Sequence, residues 1–448
     1  MATTNSIPRR QLTVWHAASV CVGMVVGAGI FSSTPAAAVN APDGIALLFA
    51  WAAAGALSLA GALCFAEMAA AFPSTGGDYH FLSLAYGPRL GFLFAWSRFA
   101  VIHTGSMSML AFVFSDYLSS VVHLGPMGSA LIAACTVAAL VGVNLAGLRF
   151  GIGAQVILTS LVLMGLASVG FAGVWRVLYG LPPATPEFTP QVTSDVHWGQ
   201  SLVYIFLAYG GWSDAATLSA EMRDVKRGIT RALLYGMGAV TCGYLFVNWA
   251  LLRGLGFDGL GAATTPAADL MLRTFGRSGE LFIVAVVAIT SITPMNALLI
   301  AGARTTYAAA RDTGAFGRLG DWHETRGTPA ASIVAMGVMT LALIGFGAWT
   351  RQGFRTMVDY LSPVYWFFLT LSGGAYFLLR WRHGAVQRHF RAPLYPWVPL
   401  AFIASSAFVF YNSVAYVKVG VIACIVVMAV GMLLSLWLTA IKSNNHER

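Results

Sequence analysis

Charge is what this 448-residue chain has least of: Asp, Glu, Lys and Arg together make up 10% of it, against 58% hydrophobic residues. Soluble domains carry roughly a quarter of their residues charged, so a water-facing fold is excluded, and the mean hydropathy of +0.73 indicates an integral membrane protein. Lysine is confined to Lys226, Lys418 and Lys442, so arginine carries most of the basic charge behind the net +9. No polar stretch is long enough to fold a separate core, which leaves one membrane domain over residues 1–448. Cysteine supplies no framework. Cys21, Cys64, Cys135, Cys242 and Cys424 stand singly in apolar runs with no CxxC pair, and read as small buried residues rather than disulfide partners or metal ligands. The N-terminal MATTNSIPRRQLT lacks a short apolar core with a cleavage site, so no signal peptide is expected. Paired acid and base groups, zinc clusters and nucleotide motifs are lacking too; neither an enzyme nor a cofactor is expected.

What is present is a succession of apolar runs long enough to cross about 30 Å of hydrocarbon. They fall near 12–39, 44–71, 89–121, 127–146, 152–178, 198–220, 229–256, 279–310, 331–349, 354–380, 396–416 and 418–440, which predicts an all-α membrane protein of twelve spans. With the N-terminus inside, nineteen Lys and Arg fall on the inner side and seven on the outer. That bias sets both termini in the cytoplasm and makes the basic balance a topology signal rather than a nucleic-acid footprint.

Two of the spans are interrupted. The first carries VCVGMVVGAGIFSSTP, with Gly23, Gly27 and Gly29 followed by Ser32, Ser33, Thr34 and Pro35; the sixth carries LAYGGWSDAA, with Gly210 and Gly211. Small residues four apart, such as Gly23 and Gly27, also serve close helix packing. Paired interruptions at corresponding places argue for more, because unpaired backbone at membrane depth is tolerated only where it lines a cavity. Spans 1–5 and 6–10 then form two units of opposite orientation, about 12–178 and 198–380, with two further helices at about 396–440.

The motifs VVGAGIF, GALCFAEMAAAFPSTGGDYHFL, FLFAWSRFAVIHTGSMSML, AYGGWSDAATLSAEMRDVKRGITRAL and MNALLIAGARTTYAAARDTG stand in order along the chain. In them the sequence resembles amino acid permeases of the amino acid–polyamine–organocation superfamily, nearest the L-type sodium-independent transporters and their bacterial relatives. The tail LLRWRHGAVQRHFRAPLYPWVP resembles that family's loop after span 10. The resemblance implies the five-plus-five inverted repeat of the leucine-transporter-type fold and alternating access for a free amino acid, proton-coupled or by amino acid exchange; the lack of a signal peptide, of a long tail and of added domains fits a bacterial inner membrane protein.

Helix electrostatics assign the ends of the breaks. The half-helix after Gly27 offers free N–H groups and a positive dipole end to a substrate carboxylate, through the backbone of Ala28, Gly29 and Ile30. The half-helices ending near Val25 and Val26, and near Leu207, Ala208 and Tyr209, offer carbonyls to the ammonium. Side chains at Gly27 or Gly29 would fill the carboxylate's space.

Two departures from the family pattern stand out: Val162 replaces the span 5 lysine of proton-coupled relatives, and Leu207 replaces the Phe that precedes their AYGGW, with Phe206 one step earlier as a gate candidate. His103 and Asp214 are ionisable at membrane depth and are candidates for coupling or for structural roles. Arg98 is expected to reach towards the cytoplasmic interface, and Glu67, Glu221, Arg223 and Asp224 to sit at solvated helix ends. The hydroxyls of Thr290, Ser291 and Thr293 either bond their own helix backbone or, with Val25, hold a sodium ion. The expected partners are an amino acid, neutral for want of an acidic cluster, the lipid bilayer, and a proton or sodium. A sodium-coupled, cationic amino acid or polyamine transporter is the alternative, and a solute-sensing receptor on this fold the different-class one. The span 3–4 loop VVHLGPMG has no cysteine, so no disulfide-linked accessory subunit is expected.

Overall fold

The computed structural model describes residues 14–72, 77–122, 125–146, 152–182, 197–213, 225–313, 317–322, 328–388, 390–416 and 418–446. All regular structure among them is helical. The first expected span is two short helices, α1 (Val14–Val25) and α2 (Gly29–Val39). There follow α3 (Gly44–Ala71), the short α4 (Asp78–Tyr86), and α5 (Pro88–Ser97), which runs through a π-helical turn (Arg98–Ile102) into α6 (His103–Val122). Next come α7 (Pro126–Leu145), α8 (Ile152–Leu178), α9 (Trp198–Ala208), α10 (Val225–Leu255) and the short α11 (Phe257–Ala262). The chain closes with α12 (Pro266–Thr313), α13 (Ala330–Thr350), α14 (Gly353–Arg382), α15 (Trp397–Tyr416) and α16 (Lys418–His446).

Local chemistry sets several boundaries. Asp43 caps α3 by accepting the Ala46 N–H at 2.8 Å, and Pro88 opens α5 where its missing donor costs nothing. Gly276 breaks α12 at φ 69°, so a separate helical stretch precedes the expected eighth span. Among the described residues, eight helices are long and apolar enough to cross a membrane: those within 44–71, 88–122, 126–145, 159–178, 230–255, 266–311, 330–350 and 397–416. Of the twelve expected spans, the first and sixth fall outside that set because α1, α2 and α9 run only 11 or 12 residues, and α14 and α16 fall outside it as well.

The bundle has two ends, a near end where α1 begins and a far end where α2 finishes. α10 packs against α1, α3 and α8, while α12 packs against α6 and α8, and α14 against α6 and α15. Some buried polar groups are paired across helices, as where Asn144 of α7 donates to Asn296 of α12 at 2.7 Å. Cys21, Cys64 and Cys424 are buried as expected, but Cys135 and Cys242 are exposed. An apolar run in a membrane protein fills the lipid-facing surface as readily as the core, so their burial did not follow from the run.

Candidate functional site

The break between α1 and α2 is built so that backbone, not side chain, meets open space. Val26 N–H makes the last bond of α1, to the Val22 carbonyl at 2.7 Å, and the next bond is Phe31 N–H to Ala28 at 3.2 Å. Ala28, at the N-cap position of α2, supplies no side-chain cap, so the opening N–H groups of α2 lack an intrahelical acceptor. The side chains of Val25, Val26, Ala28 and Ile30 are buried, whereas Gly27 and Gly29 are partly exposed. A Cβ on Gly29 would meet no atom within 4 Å, and one on Gly27 would meet only the Gly29 nitrogen at 4.0 Å.

The second break follows α9. Tyr209 N–H bonds Phe206 O at 3.2 Å and Gly210 N–H bonds Leu207 O at 3.0 Å. Gly211 then takes φ 97°, open to glycine without strain. Beyond it Trp212 is anchored edge-to-face on Phe65, centroids 5.3 Å apart. The Leu207 carbonyl is thus already engaged within its own chain.

Tyr244 of α10 joins the two breaks. Its buried hydroxyl lies 3.1 Å from the Val25 carbonyl and 3.1 Å from the Ala208 carbonyl. One turn on, Asn248 donates to the Tyr244 carbonyl at 2.8 Å, and its Oδ1 lies 3.1 Å from the Thr34 hydroxyl in α2. α10 therefore grips the first helix on both sides of its break. Trp51, Tyr209 and Tyr244 form an aromatic triad with centroids 5.1 to 5.7 Å apart, and Tyr209 Oη donates to the Trp51 carbonyl at 2.8 Å.

Sequence reasoning missed Tyr244, Asn248 and Trp51. The signal for the first two was a pair of polar residues one helical turn apart in GYLFVNWALL.

A cavity of about 600 Å³ opens at the far end, bounded by Ser32 and Pro35 of α2, Asp116 of α6, and Arg351, Gln352 and Arg355 where α13 meets α14. Its lining begins three residues past Gly29, so it approaches the first break from the far side.

Other candidates lie elsewhere. His103 is buried, and Arg98 donates to its Nε2 from Nε at 3.0 Å and approaches it from Nη2 at 2.8 Å. A guanidinium only donates, so Nε2 accepts and the ring is neutral with its proton on Nδ1. The π-helical turn sets this pair, five residues apart, in register, and Thr104 Oγ1 bonds the Phe99 carbonyl across the same turn at 2.9 Å. Arg98 thus turns to His103, correcting the expectation that it reaches for the interface. Phe206 is buried edge-to-face on Trp366 at 5.7 Å. Thr290 and Ser291 both donate to the Val287 carbonyl, at 3.2 and 2.8 Å; Thr293 is partly exposed. Asp214, Glu221, Arg223 and Asp224 lie outside the described residues. Glu67 is fully buried rather than solvated, because Arg380 and Arg388 close on it.

Comparison with known proteins adds an independent line. A family profile described as amino acid permease matches residues 12–431. The chain is 29% identical over 418 residues to the serine/threonine exchanger SteT of Bacillus subtilis (strain 168), covering 91% of this chain and 92% of that one. It is 25% identical over 410 residues to the mouse (Mus musculus) Asc-type amino acid transporter 1, covering 89% and 76%. To the human (Homo sapiens) b(0,+)-type amino acid transporter 1 it is 26% identical over 395 residues, covering 86% and 79%.

Proposed function

This chain belongs to the amino acid permease family, whose members are transporters rather than enzymes, and on that premise we propose that it exchanges small neutral L-amino acids by alternating access. The observation that carries the reading is the pair of helix breaks joined by Tyr244, with open space before Gly27 and Gly29. A zwitterion matches both poles of that arrangement. The carboxylate takes the unpaired amides of Ala28, Gly29 and Ile30 at the positive end of α2. The ammonium takes the carbonyl side formed by Val25, Val26 and Ala208, where Tyr244 holds two of the three oxygens, while Leu207 O is kept by the Gly210 N–H. The likeness to a serine/threonine exchanger favours small side chains.

Exchange is favoured over ion coupling by the likeness to a serine/threonine exchanger and by Val162 at the position where proton-coupled relatives carry lysine. The reading includes a twelve-span inverted repeat with both termini in the cytoplasm, in a bacterial inner membrane, so that the far-end cavity faces outward. Asp214 and the span 8 hydroxyls are the residues through which ion coupling would act.

Purified protein in liposomes, loaded with serine or with buffer alone, tests it. Labelled serine entering only the serine-loaded vesicles is the expected result. Uptake into buffer-loaded vesicles under an imposed proton or sodium gradient would replace exchange by symport with that ion.

A further inference from the structure

At the near end of the bundle one buried carboxylate ties α3 to the end of α14 and the segment after it. Glu67, a turn before the end of α3, is 0% exposed. Its Oε2 accepts from Tyr376 Oη at 2.7 Å, from the Ala392 backbone N–H at 2.7 Å and from Arg380 at 3.4 Å; its Oε1 accepts from Arg388 at 3.1 Å. Arg388 also donates to the Leu379 carbonyl at 3.1 Å, and the Arg380 guanidinium lies 3.8 Å over the Tyr395 ring. A single side chain of α3 thus gathers the last turns of α14 and the segment that follows it.

Apolar packing would hold α14 to α3 at lower desolvation cost, and a buried ion cluster is weak evidence for stability; its best-attested use is as a registry or switching element. The rest of α14 fits such a use. Its first turn lines the far-end cavity through Gly353, Phe354 and Arg355. Pro363 interrupts its hydrogen bonding in between, the usual cause of a bend. One helix therefore walls the open cavity at one end and is tied to Glu67 at the other.

We propose that Glu67, with Tyr376, Arg380 and Arg388, is a releasable latch: it holds the near end shut while the far end is open, and it parts when the far-end cavity closes. The inference rests on the alternating-access reading and extends it to a named set of residues. Glu67 separates two guanidinium groups, so removing its charge leaves them to repel each other and frees the end of α14.

The test measures accessibility in the absence of any amino acid, in two proteins that each carry a single cysteine. One holds Gln352→Cys on the rim of the cavity; the other keeps only Cys64, buried one turn before Glu67. Glu67→Gln is expected to slow modification of the thiol introduced at position 352 by a water-soluble maleimide, and to speed that of Cys64, each by about threefold or more. Tyr376→Phe should move both rates in the same directions by less. Unchanged rates, or both sites reacting faster together, overturn the latch in favour of a static or generally loosened clamp. Should Glu67→Gln fail to yield folded protein, Tyr376→Phe decides by the same two rates. Because no substrate enters the measurement, absence of serine exchange would sink the transport reading without altering these rates.

Discussion

The Tyr244 hydroxyl stands 3.1 Å from the Val25 carbonyl, although 219 residues separate the two along the chain. It is equally far from the Ala208 carbonyl, and a hydroxyl has one proton, so the two oxygens share a single donor. That sharing leaves acceptor capacity on both carbonyls for an ammonium while keeping the helix ends aligned. Tyr244→Phe removes the donor and keeps the ring in the triad. An unmade buried hydrogen bond costs about 1–3 kcal/mol, and the expected result is apparent affinity for serine weakened by about tenfold with normal yield in detergent. Equilibrium binding of labelled serine measures it; unaltered affinity would show that the hydroxyl does not align the site.

Gly29→Ala separates the site from the fold. The added methyl meets no protein atom within 4 Å, and alanine is the better helix former by up to about 1 kcal/mol, so melting temperature should hold or rise slightly. The same methyl stands in the space assigned to the substrate carboxylate, and binding should fall by more than about tenfold, since loss of even one charge-assisted hydrogen bond is worth about 1.5–3 kcal/mol. A stable variant with full affinity would move the carboxylate elsewhere.

The two breaks were legible in the sequence because glycine carries its own reason: it takes φ 97° at position 211 without the strain a side chain would bring, and it leaves the backbone at 29 uncovered. What holds the breaks was not legible. Tyr244 is one tyrosine among fifteen, and nothing local to it points 36 residues back to Ala208. Glu67 looked solvated for the same reason: its cations lie 313 and 321 residues further on, and a charge near a helix end reads as exposed until the fold closes over it. Arg98 was misread because the π-helical turn shifts its neighbours by one residue, a departure that periodicity reasoning at 3.6 residues per turn does not contain.

His103 is expected not to carry the coupling proton. With Nε2 accepting from Arg98, protonation would set an imidazolium against a guanidinium inside the bundle, an arrangement opposed both by burial and by like charge. His103→Gln keeps an oxygen acceptor for Arg98. Exchange in that variant should follow the pH profile of the parent between about pH 5 and 8, where an ordinary histidine titrates, with at most a modest loss of stability. A profile that loses its pH dependence in the variant would make His103 a proton carrier after all.

Gly55 tests how tightly the second break is buttressed. A Cβ there would lie 2.3 Å from Thr241 Oγ1, 2.8 Å from Thr241 Cγ2 and 3.0 Å from Tyr209 Oη. The Thr241 hydroxyl cannot swing away freely, because it donates to the Met237 carbonyl at 2.8 Å. Gly55→Ala therefore forces α3 and α10 apart at the level of the aromatic triad, at the roughly 1–3 kcal/mol typical of overpacking, and should lower both melting temperature and serine affinity. Adding Thr241→Ala removes the two closest atoms and leaves Tyr209 in place. The double variant should recover most of both losses, a coupling that independent sites do not show. If Gly55→Ala costs as much in the Thr241→Ala background as in the parent, the strain comes through Tyr209, and the contact to relieve is the one that orients the break itself.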